Sequence, residues 1–271
     1  FFFKQKTAYE IRNCDWSSDV CSSDLKKVAV QGFGNVGYHA TKFLQEEDDC
    51  KIVTIMEHHG SLVNPDGINI EKAKDYLKKN DTFEGCEEGE FISDSESLLT
   101  QKYDILIPAA VENVINVSNA DAMQSNLIVE AANGPISFEA DEILNNKGVV
   151  IIPDILANAG GVIVSYFEWV RNLRHIRFGR LEKRRNLEQM KTMIDAVETM
   201  TGKSMPDKFK DQFTNGVEEI DLIRSGLDDM ICDAYRKVRD AMLEHNIPDL
   251  RTAAFKTALD KIAISYETIG L

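Results

Sequence analysis

The sequence predicts an α/β protein, a doubly wound parallel sheet followed by a C-terminal helical extension. Three observations predict it. Short apolar runs rich in β-branched residues recur at 28–30, 51–57, 103–107, 126–130 and 148–152. Stretches with helical spacing separate them, and strands alternating with helices build a parallel sheet covered on both faces. The first run opens into Gly32-Phe33-Gly34-Asn35-Val36-Gly37, which fits G-x-G-x-x-G and leads into a helix-compatible segment from Asn35 to Glu47.

Each glycine in that turn has its own steric task. Gly32 allows a tight reversal, Gly34 leaves bare backbone where a pyrophosphate can approach, and Gly37 lets helix and strand pack closely. The helix N-terminus adds unpaired N–H groups and the positive end of its dipole. Three glycines at this spacing also occur in ordinary turns, and the second strand separates the two readings. It ends at Glu57, twenty positions beyond Gly37. A carboxylate there accepts hydrogen bonds from both ribose hydroxyls and repels a 2′-phosphate. The unit reads as a Rossmann-like dinucleotide site, with NAD the expected cofactor and NADP the alternative.

Residues 1–25 (FFFKQKTAYEIRNCDWSSDVCSSDL) stand apart. They show neither helical nor strand period, repeat SSD around Val20-Cys21, and have the marks of neither a signal nor a transit peptide. The stretch resembles translated sequencing-adapter sequence and is expected to be a non-native leader, the true N-terminus being absent. The 271 residues carry 45 Asp+Glu against 31 Lys+Arg, a net charge of −14. That balance argues against nucleic acid or an anionic membrane as partner, and no apolar run reaches membrane length. Beyond the leader, Cys50, Cys86 and Cys232 are scattered without metal-ligand spacing. A reducing compartment is expected, the cytoplasm, or the mitochondrion if the source is eukaryotic.

Past Glu57, His58-His59 invites a metal reading, but neighbours on an extended strand point to opposite faces, and no metal is expected. The alternative is a polar rim beside the adenosine site. Asn64-Pro65-Asp66-Gly67 signals a turn. Helices are expected over 70–79, 95–102, 118–124 and 138–146, and a polar loop over 81–90. Ligands of such a sheet sit beyond the C-terminal strand ends. There lie Pro108-Ala109-Ala110, Ala131-Ala132-Asn133-Gly134-Pro135 and the segment 153–161. Their small residues suit a flat nicotinamide and its ribose. Asn133 and Asn158 have donor and acceptor ends without charge; they could bind a carboxamide, or simply close turns next to glycine. Gly160-Gly161 leads into an apolar helix over 162–173, whose Tyr166, Phe167 and Trp169 are expected in the core. Ser165 is the small hydroxyl within its first turns.

The segments VAVQGFGNVG, NPDG, DILIPAA, AANGPI, IPDILANAGGVIVSYFEW and DLRTAAF, in this order over nearly all of 26–271, resemble the C-terminal domain of hexameric glutamate dehydrogenases. The resemblance implies reversible oxidative deamination of L-glutamate to 2-oxoglutarate and ammonia with hydride transfer to the nicotinamide, and a homohexamer for the intact protein. It implies cofactor contacts at Gly32, Phe33, Gly34, Asn35, Val36, Gly37, Glu57, Ala109, Ala110, Asn133 and Asn158. Val162 and Ser165 match positions that shape the pocket for the substrate side chain. Val111 stands where the family often has Ser or Thr. Leucine, valine and phenylalanine dehydrogenases, the related alternative, usually lack the SYFEW stretch. The family's catalytic lysine and aspartate belong to an N-terminal domain, so no catalytic residue is expected in 26–271, and the segment by itself is expected to be inactive. A stand-alone nucleotide-binding or regulatory module is the reading from another class.

The expected division is a dinucleotide-binding domain over 26–178 and C-terminal helices over 179–271. Positive charge is dense from Arg171 to Arg185, either a solvated helix face or an anion site. A helix over 186–200, a linker over 201–206 and a polar stretch over 207–227 suggest a shortened antenna-like insertion at about 181–226. Met230, Ala234, Val238 and Met242 recur at helical spacing, and Asp249 can cap a last helix with Ala254, Ala258 and Ile262 on its apolar face.

Overall fold

The computed structural model describes residues 26–173, 178–206 and 219–270. The leader and most of the polar stretch at 207–227 lie outside the described residues, as do the side chains of the basic run at 171–185. Seven strands, β1 (Lys27–Gln31), β2 (Lys51–Glu57), β3 (Gly60–Val63), β4 (Glu90–Ile92), β5 (Ile105–Pro108), β6 (Leu127–Val129) and β7 (Val150–Ile152), form one sheet. Its order is β4-β3-β2-β1-β5-β6-β7. The five expected strands are its parallel part, and β3 and β4 add an antiparallel edge beside β2.

The sequence reading named no strand at 60–63 or 90–92, although its polar loop at 81–90 holds as far as Gly89, and β4 begins at the next residue. Strands of four and three residues are too short to show a period, and their identity comes from cross-strand partners. The β2–β3 hairpin pairs Glu57 with Gly60, so His58-His59 is its two-residue turn rather than a stretch of strand.

Strand alternation divides the interior into two layers. Val28, Val30, Ile107, Val129 and Ile152 face one core, and Ala29, Leu106, Ile128 and Ile151 face the other. This period of two with both faces apolar is what a doubly covered parallel sheet demands. The first layer is closed by α1 (Asn35–Glu46), α2 (Ile70–Asn80), the end of α8 (Glu219–Glu244) and the start of α9 (Leu250–Ile269). The second is closed by α3 (Glu96–Leu99), a 3-10 turn at Ala120–Ala122, and α4 (Phe138–Asn146). Side chains start three helices: Asn69 accepts from the Lys72 amide, Ser137 from Ala140 and Asp249 from Thr252.

Two expected helices are shorter than their patterns. The stretch 95–102 yields only α3, and 118–124 only the 3-10 turn, because a few apolar positions suffice to anchor a short connection. The segment after β7 forms α5 (Asp154–Ala157) and then α6 (Ala159–Leu173). Gly160-Gly161 thus lies inside a helix instead of leading into it. The expected helix at 186–200 falls within α7 (Phe178–Thr201). By packing, the chain separates into one unit of Phe1–Gly161 with Met230–Leu271 and another of Val162–Asp229.

One core expectation is corrected. Tyr166 and Trp169 are 52% and 56% exposed, and the apolar face expected on α9 leaves Ile262 53% exposed. Helical spacing shows which residues share a face; it does not say what covers that face.

Candidate functional site

The carboxyl ends of β1, β5, β6 and β7 lie side by side, with Gln31 registered on Pro108 and Val129 on Ile152. The segments leaving those ends meet at one edge of the sheet. Gly32 has φ +92°, a conformation that side chains disfavour, and a methyl there would lie 2.6 Å from Ala110 Cβ. Its N–H donates to the Met56 carbonyl at 2.7 Å. A methyl on Gly37 would stand 1.9 Å from the Gly32 carbonyl oxygen. Gly34 is different, since a methyl there would meet nothing within 4 Å. The tip of the turn, Gly34-Asn35-Val36, is exposed at the start of α1, where no side chain caps the helix amides.

Phe33 contributes backbone rather than side chain. Its ring is 1% exposed, packed edge-on to Tyr38 and against Phe83. Its N–H donates to Glu57 Oε1, and its carbonyl accepts from Lys74 Nζ at 2.6 Å. Lys74 reaches in from α2 and sits 5.1 Å over the Phe33 ring and 5.3 Å over Tyr38. Burial pushes its ammonium below the usual lysine range, against the pull of the Glu57 carboxylate. The sequence reading missed Lys74, because its α2 pattern marks only a solvated helix.

Ala109 and Ala110 follow β5, the Ala109 amide donating to the Gln31 carbonyl at 2.7 Å. Asn158 Nδ2 donates to Asn133 Oδ1 at 3.1 Å and to the Ala132 carbonyl at 3.3 Å. The two asparagines therefore form a pair across the ends of β6 and β7. The left-handed conformation at this turn falls on Gly134, at φ +55°, and not on either asparagine. Gly32–Gly37, Glu57, Ala109, Ala110, Asn133 and Asn158 all lie in the unit built on the sheet. Val162 and Ser165, one turn apart on α6, are both exposed and belong to the other unit. Among the described residues, no cluster of three or more His, Cys, Asp or Glu is arranged to hold a metal ion.

The family model for Glutamate/Leucine/Phenylalanine/Valine dehydrogenase matches residues 17–225. The chain belongs to this dehydrogenase family. It is 46% identical over 235 residues to a probable glutamate dehydrogenase of Sinorhizobium fredii, covering 86% of this chain and 53% of that protein. The mitochondrial glutamate dehydrogenase of Dictyostelium discoideum is 44% identical over 245 residues, 90% of this chain and 48% of that protein. The crystal structure of glutamate dehydrogenase from Peptoniphilus asaccharolyticus superposes with a TM-score of 0.58 at 25% identity, over 90% of this chain and 47% of that one. The chain spans about half the length of the curated dehydrogenases it matches. Among the described residues, no helix is long and apolar enough to cross a membrane.

Proposed function

We propose that this chain is the nucleotide-binding portion of a glutamate dehydrogenase, the whole protein oxidatively deaminating L-glutamate to 2-oxoglutarate and ammonia. One observation carries the reading. In a turn where Gly32 and Gly37 are sterically closed, Gly34 is open, and Glu57 stands at the neighbouring strand end with its carboxylate on the turn. The residues present fit a dinucleotide: bare amides of 34–36 at the start of α1 for the pyrophosphate, and Glu57 for the adenosine ribose. Asn133 and Asn158 offer amide groups to a carboxamide, and Ala109 and Ala110 leave room for the ribose beside it. NAD, when bound, supplies the acceptor for the hydride leaving the substrate α-carbon.

Glu57 favours NAD, while the Lys74 ammonium beside it is the feature that would tolerate the extra phosphate of NADP. The two relatives above are both named glutamate dehydrogenases, which supports glutamate over leucine, valine or phenylalanine. Val162 and Ser165 would shape the pocket for its side-chain carboxylate. General acid–base chemistry needs a group within hydrogen-bond reach of the substrate amine, and none of these residues is one. The family resemblance implies a catalytic lysine and aspartate in the part of the whole protein that this chain, about half the length of its relatives, does not span.

Calorimetry and a turnover assay test this. The 26–271 segment is expected to take up NADH and to form no NADH from NAD and glutamate, while the full-length protein turns over glutamate in preference to leucine and phenylalanine. Absence of heat with NADH would overturn the nucleotide assignment. Glutamate-dependent NADH formation by the segment would overturn the division of labour.

A further inference from the structure

Behind the asparagine pair lies a charge cluster with no part in the reading so far. Arg251, in the first turn of α9, donates from Nη2 to Glu130 Oε1 at 2.8 Å and to Asp141 Oδ1 at 2.9 Å, and from Nε to the same Asp141 oxygen at 3.0 Å. Its Nη1 is 3.6 Å from Asp154 Oδ1. One guanidinium thus gathers three carboxylates, from the end of β6, from α4 and from the start of α5.

The carboxylates in turn hold backbone. Glu130 is fully buried, and its second oxygen, Oε2, accepts from the Asp154 amide at 2.8 Å. Asp154 Oδ2 accepts from the Gly134 amide at 2.9 Å. Gly134 follows Asn133, and Asp154 opens the α5 turn that ends at Asn158. Two routes therefore run from Arg251 into the segments whose tips form the Asn158–Asn133 pair: hydrogen bonds through Glu130 to the Asp154 amide, and the ion pair with Asp154, whose other oxygen accepts from Gly134. Burial acts against the Arg251 charge, and Glu130 and Asp141 outweigh it, holding the guanidinium above its ordinary range. A planar guanidinium holds its donors in one rigid fork and so fixes where its three acceptors stand; an ammonium's three donors rotate on a flexible stem and do not.

We propose that Arg251 is a positioning residue for the dinucleotide site, setting through Glu130 and Asp154 the spacing of the 131–135 and 153–158 segments and hence the Asn133–Asn158 pair. The role of that pair rests on the function proposed above. A cluster that only fastened α9 to the sheet would need no hydrogen bond to the Gly134 amide, yet Asp154 makes one.

The test compares NADH with ADP-ribose, which lacks only the nicotinamide and its carboxamide, on the full-length protein by calorimetry. Arg251→Lys and Asp154→Ala are expected to weaken NADH by about tenfold, the scale of one disturbed hydrogen bond, and to leave ADP-ribose within about twofold. Asp154→Asn, whose amide oxygen can still accept from Gly134, is expected to restore most of the NADH affinity lost in Asp154→Ala. Unchanged NADH affinity in both variants would overturn the proposal, as would equal weakening of both ligands or no rescue by Asp154→Asn. Wild-type protein binding neither ligand would overturn instead the nucleotide-site reading beneath it.

Discussion

The Phe33 amide donates to the Glu57 carboxylate, tying the second residue of the glycine turn to the end of the adjacent strand. Lys74 holds the Phe33 carbonyl from the other side at 2.6 Å, so the backbone of the residue before Gly34 is fixed at both its amide and its carbonyl. The residue expected to recognise the ribose thus also shapes the turn expected to receive the phosphates. Glu57→Ala in the full-length protein should weaken NADH by about tenfold or more, the scale of losing hydrogen bonds to a charged group, and should narrow the preference over NADPH. Parallel titrations with the two dinucleotides check this. An unaltered preference would remove Glu57 from ribose recognition.

The glycines of the turn should separate stability from binding. In Gly37→Ala the added methyl meets the Gly32 carbonyl, and overpacking of this kind costs about 1–3 kcal/mol. Gly34→Ala has open space and an ordinary backbone, so its cost should stay below about 1 kcal/mol. It should nevertheless weaken NADH, because the methyl occupies the approach of the pyrophosphate. Urea midpoints and calorimetric affinities on the two variants decide this.

Burial raises the pKa of Glu130, while the Arg251 charge and the Asp154 amide pull it down without cancelling the rise. The native state therefore keeps the Glu130 proton to higher pH than the unfolded chain, whose glutamates titrate near about 4.3. The stability this contributes is fully present below that value and is lost as pH rises through the native pKa. Glu130→Gln has no such proton, so the stability of the wild type relative to the variant should fall as pH is raised from acid toward neutral. Urea denaturation of both proteins across that range measures it, and a constant difference would count against the raised pKa.

Core and tail should respond differently to truncation. Ile107→Ala removes a fully buried side chain from the interior strand β5 and should cost about 2–5 kcal/mol. Leu259→Gln on α9 alters a side chain that is 62% exposed and should move the stability of the 26–271 segment by no more than about 0.5 kcal/mol. Chemical denaturation of the segment reads both.

Much of the fold is legible in short windows. The alternation of Val28, Ala29 and Val30 assigns side chains to opposite layers because the strand period is two, and it is written in three consecutive letters. Gly32, Gly34 and Gly37 announce a turn whose steric demands are set within six residues. Asp249 capping Thr252 is a relation across three. Strands β3 and β4 were not legible, since three or four residues are stabilised by their neighbours' ladders rather than by a pattern of their own.

What the sequence by itself determined is therefore local: five parallel strands, the glycine turn with an acid at the next strand end, and the cap that starts α9. Tertiary structure alone decided that Lys74 grips the glycine turn from 41 positions away and that Arg251 meets Glu130 across 121. It alone decided that Asn158 pairs with Asn133, and that Tyr166 and Trp169 are exposed. The reason is range: dihedral preference and hydrophobic period act between residues a few positions apart, whereas a buried charge takes its partner from whatever element the completed fold brings within 3 Å.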